Sequence, residues 1–476
     1  MKKLILLLSL FLPTFLLAQG VNIGQGGGVF IGSNVNLASP EPIGSTGPSN
    51  GTFSILNGVL NPASCGASSP PSWCSGGDLG AWVNSALTAC SSAPCTVYVP
   101  SGNYSITTAI TLGTKQNLKL LPGTYTLSAK ITVGQQASVF CDATTGEVPN
   151  TGYGECVVKQ ANGANLNPMF ALNGTNAVLE GVVVDGNNAN NSSAGPNILI
   201  TGLRDRIIHV NSIYSNSHGL DLGDGTLNPA AAAQVMDSMF LWNTGSGIYG
   251  RRTADVFIRT SEFENNSRYG IEGLDFEAFR IINSDFGGNN LGGISCIGTV
   301  AGTTGCGGWM ITNSQFGGNL GHDIFYQNYD ATGGNYSGVL GWVVVGNTFA
   351  GLNNSAIDNS YDAIHFKDTL RDVIAGNVIF STPSHRYRYG IAMEETALGR
   401  SLAVTIAGNN VDGSIGTGGL LTLSKTNFTG NTIFGSTTMQ SSPLAVPSIK
   451  ATTGTRYVCV DTNGNLVSSA TACSGT

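Results

Sequence analysis

Short apolar segments, separated by glycine, asparagine and proline, recur along the chain from about residue 95. The first four lie at residues 96–99, 109–112, 118–121 and 130–133. Segments this short and rich in valine, isoleucine and threonine predict β-strands rather than helices. Because no helical segments separate them, a doubly wound α/β sheet is excluded, and a sandwich, a propeller or a solenoid remains.

One segment near the N-terminus has the periodicity of an amphipathic helix. Asp78 is a suitable N-cap, and the helix is expected to continue to Ala89. Its apolar face contains Leu79, Trp82, Val83, Ala86 and Leu87. The sequence therefore predicts an all-β protein with one N-terminal helix.

A strand repeat from about residue 179 decides between the remaining folds. Each repeat has a small polar residue two places before an apolar anchor, and a turn rich in glycine or asparagine follows. The pairs are Asn211/Ile213, Asp237/Met239, Ser261/Phe263, Ser284/Phe286, Ser314/Phe316, Asn347/Phe349, Asn377/Ile379, Asn409/Val411 and Asn431/Ile433. Successive anchors lie 22 to 33 residues apart, which is shorter than a propeller blade of about 40–45 residues. One coil of a parallel β-helix fits this length.

The composition agrees with a β-solenoid. Of the 476 residues 66 are glycine and only 10% are charged, and the mean hydropathy is +0.11. So little charge excludes helical bundles with exposed Lys/Glu-rich faces, and the apolar content excludes disorder for most of the chain. The net charge of -7 and the lack of a basic stripe argue against a nucleic-acid partner.

Residues 1–18 have the pattern of a secretory signal peptide. Lys2 and Lys3 precede an apolar stretch that ends at Ala18, and this stretch is too short to span a membrane. We therefore expect an exported protein, secreted or at the cell surface, whose mature chain does not span a membrane. Residues 19–60 predict a flexible leader, because they are rich in glycine, serine and asparagine.

Ten cysteines fall into sequence-local pairs, and in an exported protein this indicates disulfides. The pairs are Cys65–Cys74, Cys90–Cys95, Cys141–Cys156, Cys296–Cys306 and Cys459–Cys473. None of the spacings fits a structural zinc site, so no metal is predicted there. Local pairing is the simplest of many connectivities.

The remaining boundaries follow from these features. Residues 61–130 are expected to hold the N-terminal cap and the first coils, and residues 131–435 the parallel β-helix. Residues 436–476 predict a polar tail with a small hairpin that the Cys459–Cys473 disulfide would close.

The N-terminal motif resembles that of the pectate-lyase-like superfamily. Residues 78–82 (DLGAW) resemble the capping helix of that superfamily, and residues 97–104 (VYVPSGNY) resemble its first strand. With the repeats, the resemblance covers roughly residues 75–435 and implies a right-handed parallel β-helix. The superfamily includes lyases, glycoside hydrolases, epimerases, tailspikes and non-catalytic adhesins, so the fold does not determine the function.

A second repeated element places candidate chemistry on one face of the predicted β-helix. In each element an inward Ile or Leu is followed by a residue that points outwards. The outward column is Asp221, Tyr249, Glu272, Ser295, Phe325, His365, Ala392 and Leu421, and the column two residues further along includes Arg251, Lys367 and Glu394. Charges gathered on one face of a chain with 10% charged residues predict a polysaccharide-binding groove, where Tyr249 and Phe325 would stack on sugar rings.

Asp221 and Glu272 are the candidate catalytic pair for glycoside hydrolysis. They lie two coils apart, roughly 10 Å between backbones at about 4.8 Å per coil. Their side chains can converge to the about 6.5–9.5 Å of an inverting hydrolase, where one carboxyl protonates the leaving oxygen and the other activates water. The alternative is that both are solvated carboxylates that keep the face soluble.

Residues 216–221 (NSHGLD) resemble the N-T-D-G-[IFL]-D element of polygalacturonase-like hydrolases. His218 replaces the first catalytic aspartate of that element, and the following coil lacks the aspartate pair. The resemblance therefore implies the placement of Asp221 in the fold and not the polygalacturonase mechanism.

Lys367 and His365 are candidate bases for a lyase, which removes the proton next to a uronate carboxylate. Arg386 and Arg388, in the basic and aromatic run 385–389, would stabilise the resulting charge, although arginines in an exposed loop also serve as structural donors. Calcium is the cofactor expected if the protein is a lyase. Asp221 and Asp224 would supply two oxygen ligands, fewer than a full set.

The sequence thus leaves two functions open. One is an exported protein that binds a polysaccharide and cleaves or modifies it, as a glycoside hydrolase or polysaccharide lyase. Its substrate-binding residues would be Tyr249, Arg251, Phe325, Arg386, Arg388 and Glu394. The other is a non-catalytic surface adhesin or structural β-helix protein.

Overall fold

The computed structural model describes most of the chain between residues 77 and 412. The described ranges are 77–89, 94–141, 156–223, 230–298, 305–327, 341–351, 357–369, 371–382, 384–394 and 404–412, with the backbone of a few short strands outside them. The predicted signal peptide and all but the last two residues of the leader lie outside the described residues.

Three long parallel sheets form the described chain. Each coil adds one strand to each sheet in turn, so every strand pairs with those of the preceding and following coils. Parallel crossovers of this kind are right-handed. The protein is therefore a right-handed parallel β-helix, as the sequence predicted.

The strands are mostly three to six residues long and share the same order in all sheets. Sheet 1 contains Ile110–Leu112, Ile131–Val133, Phe170–Leu172, Ile198–Ile200, Leu220–Leu222, Ile248–Arg251, Tyr269–Leu274, Gly292–Ile297, His322–Gln327, Ile364–Lys367, Tyr389–Glu394, Gly418–Thr422 and Thr437–Met439. Sheet 2 contains Val59–Leu60, Cys95–Val99, Gln116–Leu120, Ser138–Cys141, Val178–Glu180, Arg206–Ile208, Gln234–Met236, Phe257–Arg259, Arg280–Ile282, Met310–Thr312, Val343–Val345, Val373–Ala375, Val404–Ala407 and Thr426–Thr429. Sheet 3 contains Gly102–Ile106, Gly123–Leu127, Cys156–Gln160, Val183–Asp185, Asn211–Ile213, Met239–Leu241, Glu262–Glu264, Asp285–Gly287, Gln315–Gly317, Thr348–Phe349, Val378–Ile379, Asn410–Val411 and Thr432–Ile433.

The ends of the β-helix extend beyond the expected limits. Val59–Leu60 pairs with Thr96 and Val97, although residues 19–60 were predicted to be a flexible leader. At the other end Thr437–Met439 continues sheet 1 past residue 435. A separate antiparallel hairpin, Tyr457–Val460 with Leu466–Ser469, lies in the predicted tail.

The helix, Leu79–Ala89, lies where the sequence predicted it. The Asp78 carboxylate accepts a hydrogen bond of 3.0 Å from the Gly80 N–H and therefore caps the first turn. All five predicted apolar positions of this helix are buried. Within the described residues, no helix is both long and apolar enough to cross a bilayer.

Ladders of identical side chains fill the interior. Phe240, Phe263, Phe286, Phe316 and Phe349 stack with ring centroids 4.8 to 5.3 Å apart. Four buried asparagines, Asn243, Asn266, Asn289 and Asn319, are joined by amide hydrogen bonds of 2.9 to 3.0 Å. Each ladder repeats once per coil and so fixes the register of every following strand.

The predicted anchors are wrong by one residue in the first two repeats. Strand pairing aligns Ser212 with Phe240 and Phe240 with Phe263, so Ile213 and Met239 lie outside the phenylalanine ladder. Ile213 is nevertheless fully buried, in a cluster with Val183 and Leu241. A slip of one residue exchanges the two faces of a strand.

The turn before the second of these strands explains the slip. Asp237 has a left-handed φ of 50° and belongs to the turn. Ser238 then takes the small polar position, where its Oγ accepts a hydrogen bond of 3.1 Å from the Val210 N–H. Ser238 therefore replaces Asp237 as the polar residue of this repeat.

Two of the predicted disulfides are described, Cys141–Cys156 and Cys296–Cys306. Cys95 is also in a disulfide. Its predicted partner Cys90 lies outside the described residues, as do Cys65, Cys74 and Cys473. Those three pairings therefore stay predictions.

Candidate functional site

The predicted outward column lies in register along sheet 1. Asp221 pairs with Tyr249 and Tyr249 with Glu272. The column continues through Ser295, Phe325, His365, Ala392 and Leu421. The alternate residues of the strands, such as Leu220, Ile248 and Ile271, are fully buried in the core. The column therefore lies on the outer face of the sheet.

The face is far less exposed than a solvated surface. Glu272 is 8% exposed and His365 is 6% exposed, while Asp221, Tyr249 and Phe325 are half-buried. The alternative that Asp221 and Glu272 are freely solvated carboxylates does not fit this burial.

A further column of polar residues runs beside the first and was missed by the sequence analysis. Its members lie two residues before each inward Ile or Leu of sheet 1. They are His218, Ser246, Tyr269, Gly292, His322, Asp362 and Tyr389. Outward residues alternate along a strand, so counting two places back would have found this column.

Glu272 is held by two donors. Arg268 Nε donates to Glu272 Oε2 at 2.8 Å, and the second Arg268 nitrogen, Nη2, bonds Oε1. The Ser246 hydroxyl donates to Oε2 at 2.6 Å. Burial acts to raise the pKa of Glu272, but these hydrogen bonds outweigh it and hold the pKa below its usual value.

Asp221 has the opposite environment. Burial, reinforced by the negative charge of Glu272, raises the pKa of Asp221 to about 7. One of its oxygens, Oδ1, is buried without a hydrogen bond. Asp221 is therefore partly protonated near neutral pH, whereas Glu272 is ionised.

His218 and Tyr249 complete this group, which we call the Glu272 cluster (His218, Asp221, Ser246, Tyr249, Arg268 and Glu272). The His218 and Tyr249 rings stack with centroids 4.5 Å apart. His218 Nδ1 accepts a hydrogen bond of 2.8 Å from the Ser246 N–H. Burial lowers the pKa of His218 to about 4, so its imidazole is neutral at pH 7.

A second group, the His365 cluster (His322, Phe325, Asp362, His365, Arg388 and Glu394), lies further along sheet 1. The His365 Nδ1–H donates to Asp362 Oδ2 at 2.7 Å, since an ionised carboxylate can only accept. His365 Nε2 lies 3.3 Å from Glu394 Oε2. Burial opposes ionisation of Asp362, yet the hydrogen bonds from His365 and Arg388 hold its pKa below the usual value.

The two arginines predicted to bind substrate are engaged in ion pairs. Arg388 Nε and Nη2 donate to the fully buried Asp362 at 2.9 and 2.6 Å. Arg386 pairs with Asp358, with Nη2 2.7 Å from Oδ2. Arg386 therefore contacts the turn before the strand Ile364–Lys367 rather than the outward column.

The other predicted residues lie at the ends of sheet 1 strands. Arg251 is exposed at the end of its strand. Lys367 pairs in register with Glu394 on the next coil, and both are half-buried. The Phe325 ring lies 5.5 Å from His322 and 5.3 Å from His365 between centroids. Phe325 is thus part of the His365 cluster.

Among the described residues, one group of three side chains could supply metal ligands, with the ligand atoms within 4.8 Å of one another. The group consists of His322, Asp362 and His365. Two imidazoles and a carboxylate suit zinc better than calcium. However, His322 Nδ1 already accepts a hydrogen bond of 3.0 Å from the Asp362 N–H, and Arg388 occupies the carboxylate. The group is a hydrogen-bonded network. Asp224, a predicted calcium ligand, lies outside the described residues.

The three parallel sheets, with one strand per coil, are the fold that the resemblance of the N-terminal motif implied. Neither a protein-family model nor a curated protein matches this chain.

Several solved structures are similar. The Dettilon tailspike protein is 13% identical, with 81% of this chain and 69% of that chain covered and a TM-score of 0.49. The A-module of a mannuronan C-5 epimerase from Azotobacter vinelandii is 14% identical, with 75% and 95% covered and a TM-score of 0.45. A tailspike protein of E. coli bacteriophage HK620, in complex with a hexasaccharide, is 11% identical, with 76% and 68% covered and a TM-score of 0.43. Similarities this distant leave the activity of this protein to be argued from its own side chains.

Proposed function

We propose that this protein is an exported β-helix protein that binds a polysaccharide along the outer face of sheet 1 and hydrolyses it at the Glu272 cluster. One observation carries the proposal. Asp221 and Glu272 flank Tyr249 on a single outward column of sheet 1, and their surroundings displace their pKa values in opposite directions. Two neighbouring carboxyl groups, one with a raised pKa and one with a lowered pKa, can act together as an acid and a base at neutral pH.

Asp221 is the general acid and Glu272 the general base. The protonated Asp221 gives its proton to the glycosidic oxygen as the bond from that oxygen to the anomeric carbon breaks. Glu272 takes a proton from a water molecule whose oxygen bonds the same carbon from the opposite side. Two coils separate the backbones by about 10 Å. Side chains that converge from this spacing to a carboxyl separation of about 6.5–9.5 Å would leave room for this water and give inversion of configuration.

The hydrogen bonds of Glu272 are compatible with its role as a base. Oε2 accepts from both Arg268 and Ser246, whereas Oε1 accepts from Arg268 alone. A carboxylate oxygen has two lone pairs, so Oε1 keeps one for a proton. The two donors position the carboxylate and keep it ionised.

Tyr249 and Phe325 would stack on sugar rings, because both are half-buried aromatic residues of the outward column. Arg251, Lys367 and Glu394 would contact the polysaccharide beside them. Arg386 and Arg388 would support the groove through their ion pairs with Asp358 and Asp362. The mature chain would begin after Ala18.

A lyase is a second candidate, with His365 as the base. The supporting observation is the hydrogen bond of 2.7 Å between His365 Nδ1 and Asp362, which orients the ring so that Nε2 lies 3.3 Å from Glu394 Oε2. Lys367 on the same strand would neutralise a uronate carboxylate. A non-catalytic adhesin is the third candidate, because Arg268, Arg386 and Arg388 are all held in ion pairs.

A panel of acidic and neutral polysaccharides separates the three candidates. Hydrolysis releases reducing sugars without new absorbance, a lyase forms unsaturated products that absorb in the ultraviolet, and an adhesin binds without turnover. Asp221→Asn and Glu272→Gln should each abolish release of reducing sugars. The matched control is Asp255→Asn, because Asp255 is exposed and has a left-handed φ of 58° that asparagine tolerates. Full activity in either cluster variant would contradict the proposed pair.

A further inference from the structure

His218 and His322 occupy the same position on two different coils. Each lies two residues before the inward Leu220 or Ile324, and the pairing of successive strands connects these two positions through four steps. Four coils correspond to about 19 Å along the axis of the β-helix. Both side chains are half-buried on the outer face of sheet 1.

The same backbone hydrogen bond fixes both rings. His218 Nδ1 accepts the N–H of Ser246 at 2.8 Å, and His322 Nδ1 accepts the N–H of Asp362 at 3.0 Å. In both cases the donor lies at the equivalent position of the next coil. Because Nδ1 is an acceptor, the neutral ring carries its proton on Nε2.

The neighbouring aromatic residue is also equivalent. His218 stacks on Tyr249 at 4.5 Å between centroids. His322 contacts His365 at 4.6 Å, edge to face. Tyr249 and His365 each follow the inward isoleucine of the next coil. The chain therefore places an aromatic ring at the equivalent position beside both histidines, face to face at His218 and edge to face at His322.

Burial favours a neutral ring at each histidine, and it outweighs the carboxylate that faces each one. Burial lowers the pKa of both histidines to about 4. Glu272 opposes this shift at His218, and Arg268 adds to it. Asp362 opposes it at His322, where His365 and Arg388 add to it. An Nε2–H group on a neutral ring donates one directional hydrogen bond, as recognition of a hydroxyl or carboxylate oxygen of a sugar requires.

We infer that His218 and His322 are two matching glycan-binding positions, and that the polysaccharide runs along sheet 1 parallel to the axis and contacts both. Each histidine donates its Nε2–H to an oxygen of the chain. The ligand is thus a linear polysaccharide stretch at least about 19 Å long. This inference rests on the proposed glycan binding and adds the direction and the minimum length of the bound chain.

The first test needs no glycan. The chain has five histidines, so nitrogen-15 labelling of histidine alone gives an NMR spectrum that single substitutions can assign. The expected result is a neutral Nε2–H form for His218 and His322 between pH 6 and pH 8. A proton on Nδ1, or a cationic ring at pH 6, at either residue would overturn the inference.

The second test measures the affinity of sized oligosaccharides from polygalacturonate, alginate and a neutral glucan by calorimetry. Affinity should rise steeply once an oligosaccharide reaches the length that spans both histidines. His322→Ala should lower the affinity for long oligosaccharides by about three- to tenfold, the effect of one hydrogen bond. The affinity for short oligosaccharides that reach only His218 should not change. His322→Gln should retain affinity, since its amide both accepts and donates.

His209→Asn is the control, because His209 is 54% exposed in its side chain and lies on a turn with a left-handed φ of 51°. It should not change any affinity. If oligosaccharides bind without a dependence on length, this inference fails and the proposed glycan binding stands. If none of the three polymers binds, both fail.

Discussion

The Ser246 hydroxyl donates a hydrogen bond of 2.6 Å to Glu272 Oε2 and so links the two outward columns of sheet 1. Ser246 also presents its N–H to His218. One small residue therefore positions the proposed base and the neighbouring histidine through two different atoms.

Ser246→Ala should raise the pKa of Glu272, because one of the donors that stabilise its ionised form is lost. The acidic limb of the pH–rate profile should move to higher pH, since the base must be ionised, and kcat at neutral pH should fall about three- to tenfold. A pH profile of reducing-sugar release measures both. Ser85→Ala, on the exposed side of the helix, should change neither, and an unshifted acidic limb in Ser246→Ala would argue against Glu272 as the base.

Asp221→Asn should change how stability depends on pH. The folded Asp221, with its pKa raised to about 7, keeps its proton between about pH 4 and pH 7, whereas the unfolded chain loses it there. Asp221 therefore stabilises the fold fully at low pH and loses this contribution as pH rises to 7. Asparagine cannot ionise, so its stability does not depend on this proton. The stability of the variant minus that of the parent should therefore be larger at pH 8 than at pH 4.

Melting temperatures at these two pH values test this prediction. The difference between Asp221→Asn and the parent should grow by a few degrees from pH 4 to pH 8, while Asp255→Asn should show no such trend. A constant difference would mean that the Asp221 carboxyl has an ordinary pKa in the folded protein.

Asp362→Ala should be strongly destabilising. The carboxylate is fully buried and accepts from Arg388 and His365, so its loss leaves the partly buried Arg388 guanidinium and the buried His365 imidazole without their partner. The expected loss in the free energy of unfolding is about 3–5 kcal/mol. Asp358→Ala removes a similar two-nitrogen contact to Arg386 in a more exposed place, where solvent screens the ion pair, and should cost clearly less. Urea unfolding compares the two, and equal losses would contradict the argument from burial.

Phe286→Ala should remove the middle of the phenylalanine ladder, because Phe286 stacks on both Phe263 and Phe316 at 4.8 Å. The cavity and the lost burial should cost about 3–5 kcal/mol. Phe257→Ala, at a half-buried position of sheet 2, should cost clearly less. Similar midpoints and slopes in urea for the two variants would argue against the ladder as a stabilising element.

Peptide mapping of the non-reduced protein tests the disulfides. We expect Cys141–Cys156 and Cys296–Cys306, as the structure has them, and the local pairs Cys65–Cys74, Cys90–Cys95 and Cys459–Cys473. A long-range pair, such as one that joins Cys65 to Cys473, would overturn local pairing for the ends of the chain.

The alternation of residues along the strands was enough to predict the fold and the outer face that carries the candidate site. Strand side chains alternate with a period of two, so the inward Ile271 placed Glu272 outside and Ile248 did the same for Tyr249. The same rule misplaced Met239, because Met239 and Phe240 are both apolar and only the turn at Asp237 selects the frame of that strand.

The tertiary structure alone decided the chemistry of the site. Arg388 reaches Asp362 across 26 residues, and Asp221 is separated from Glu272 by two whole coils whose lengths differ. The turns decide which side chains meet, because each turn sets where the chain enters the next coil. The burial of Asp221 depends on all the side chains that these turns bring together around it. The difference between the raised pKa of Asp221 and the lowered pKa of Glu272 arises from that shared environment, which cannot be read from a local pattern of residues.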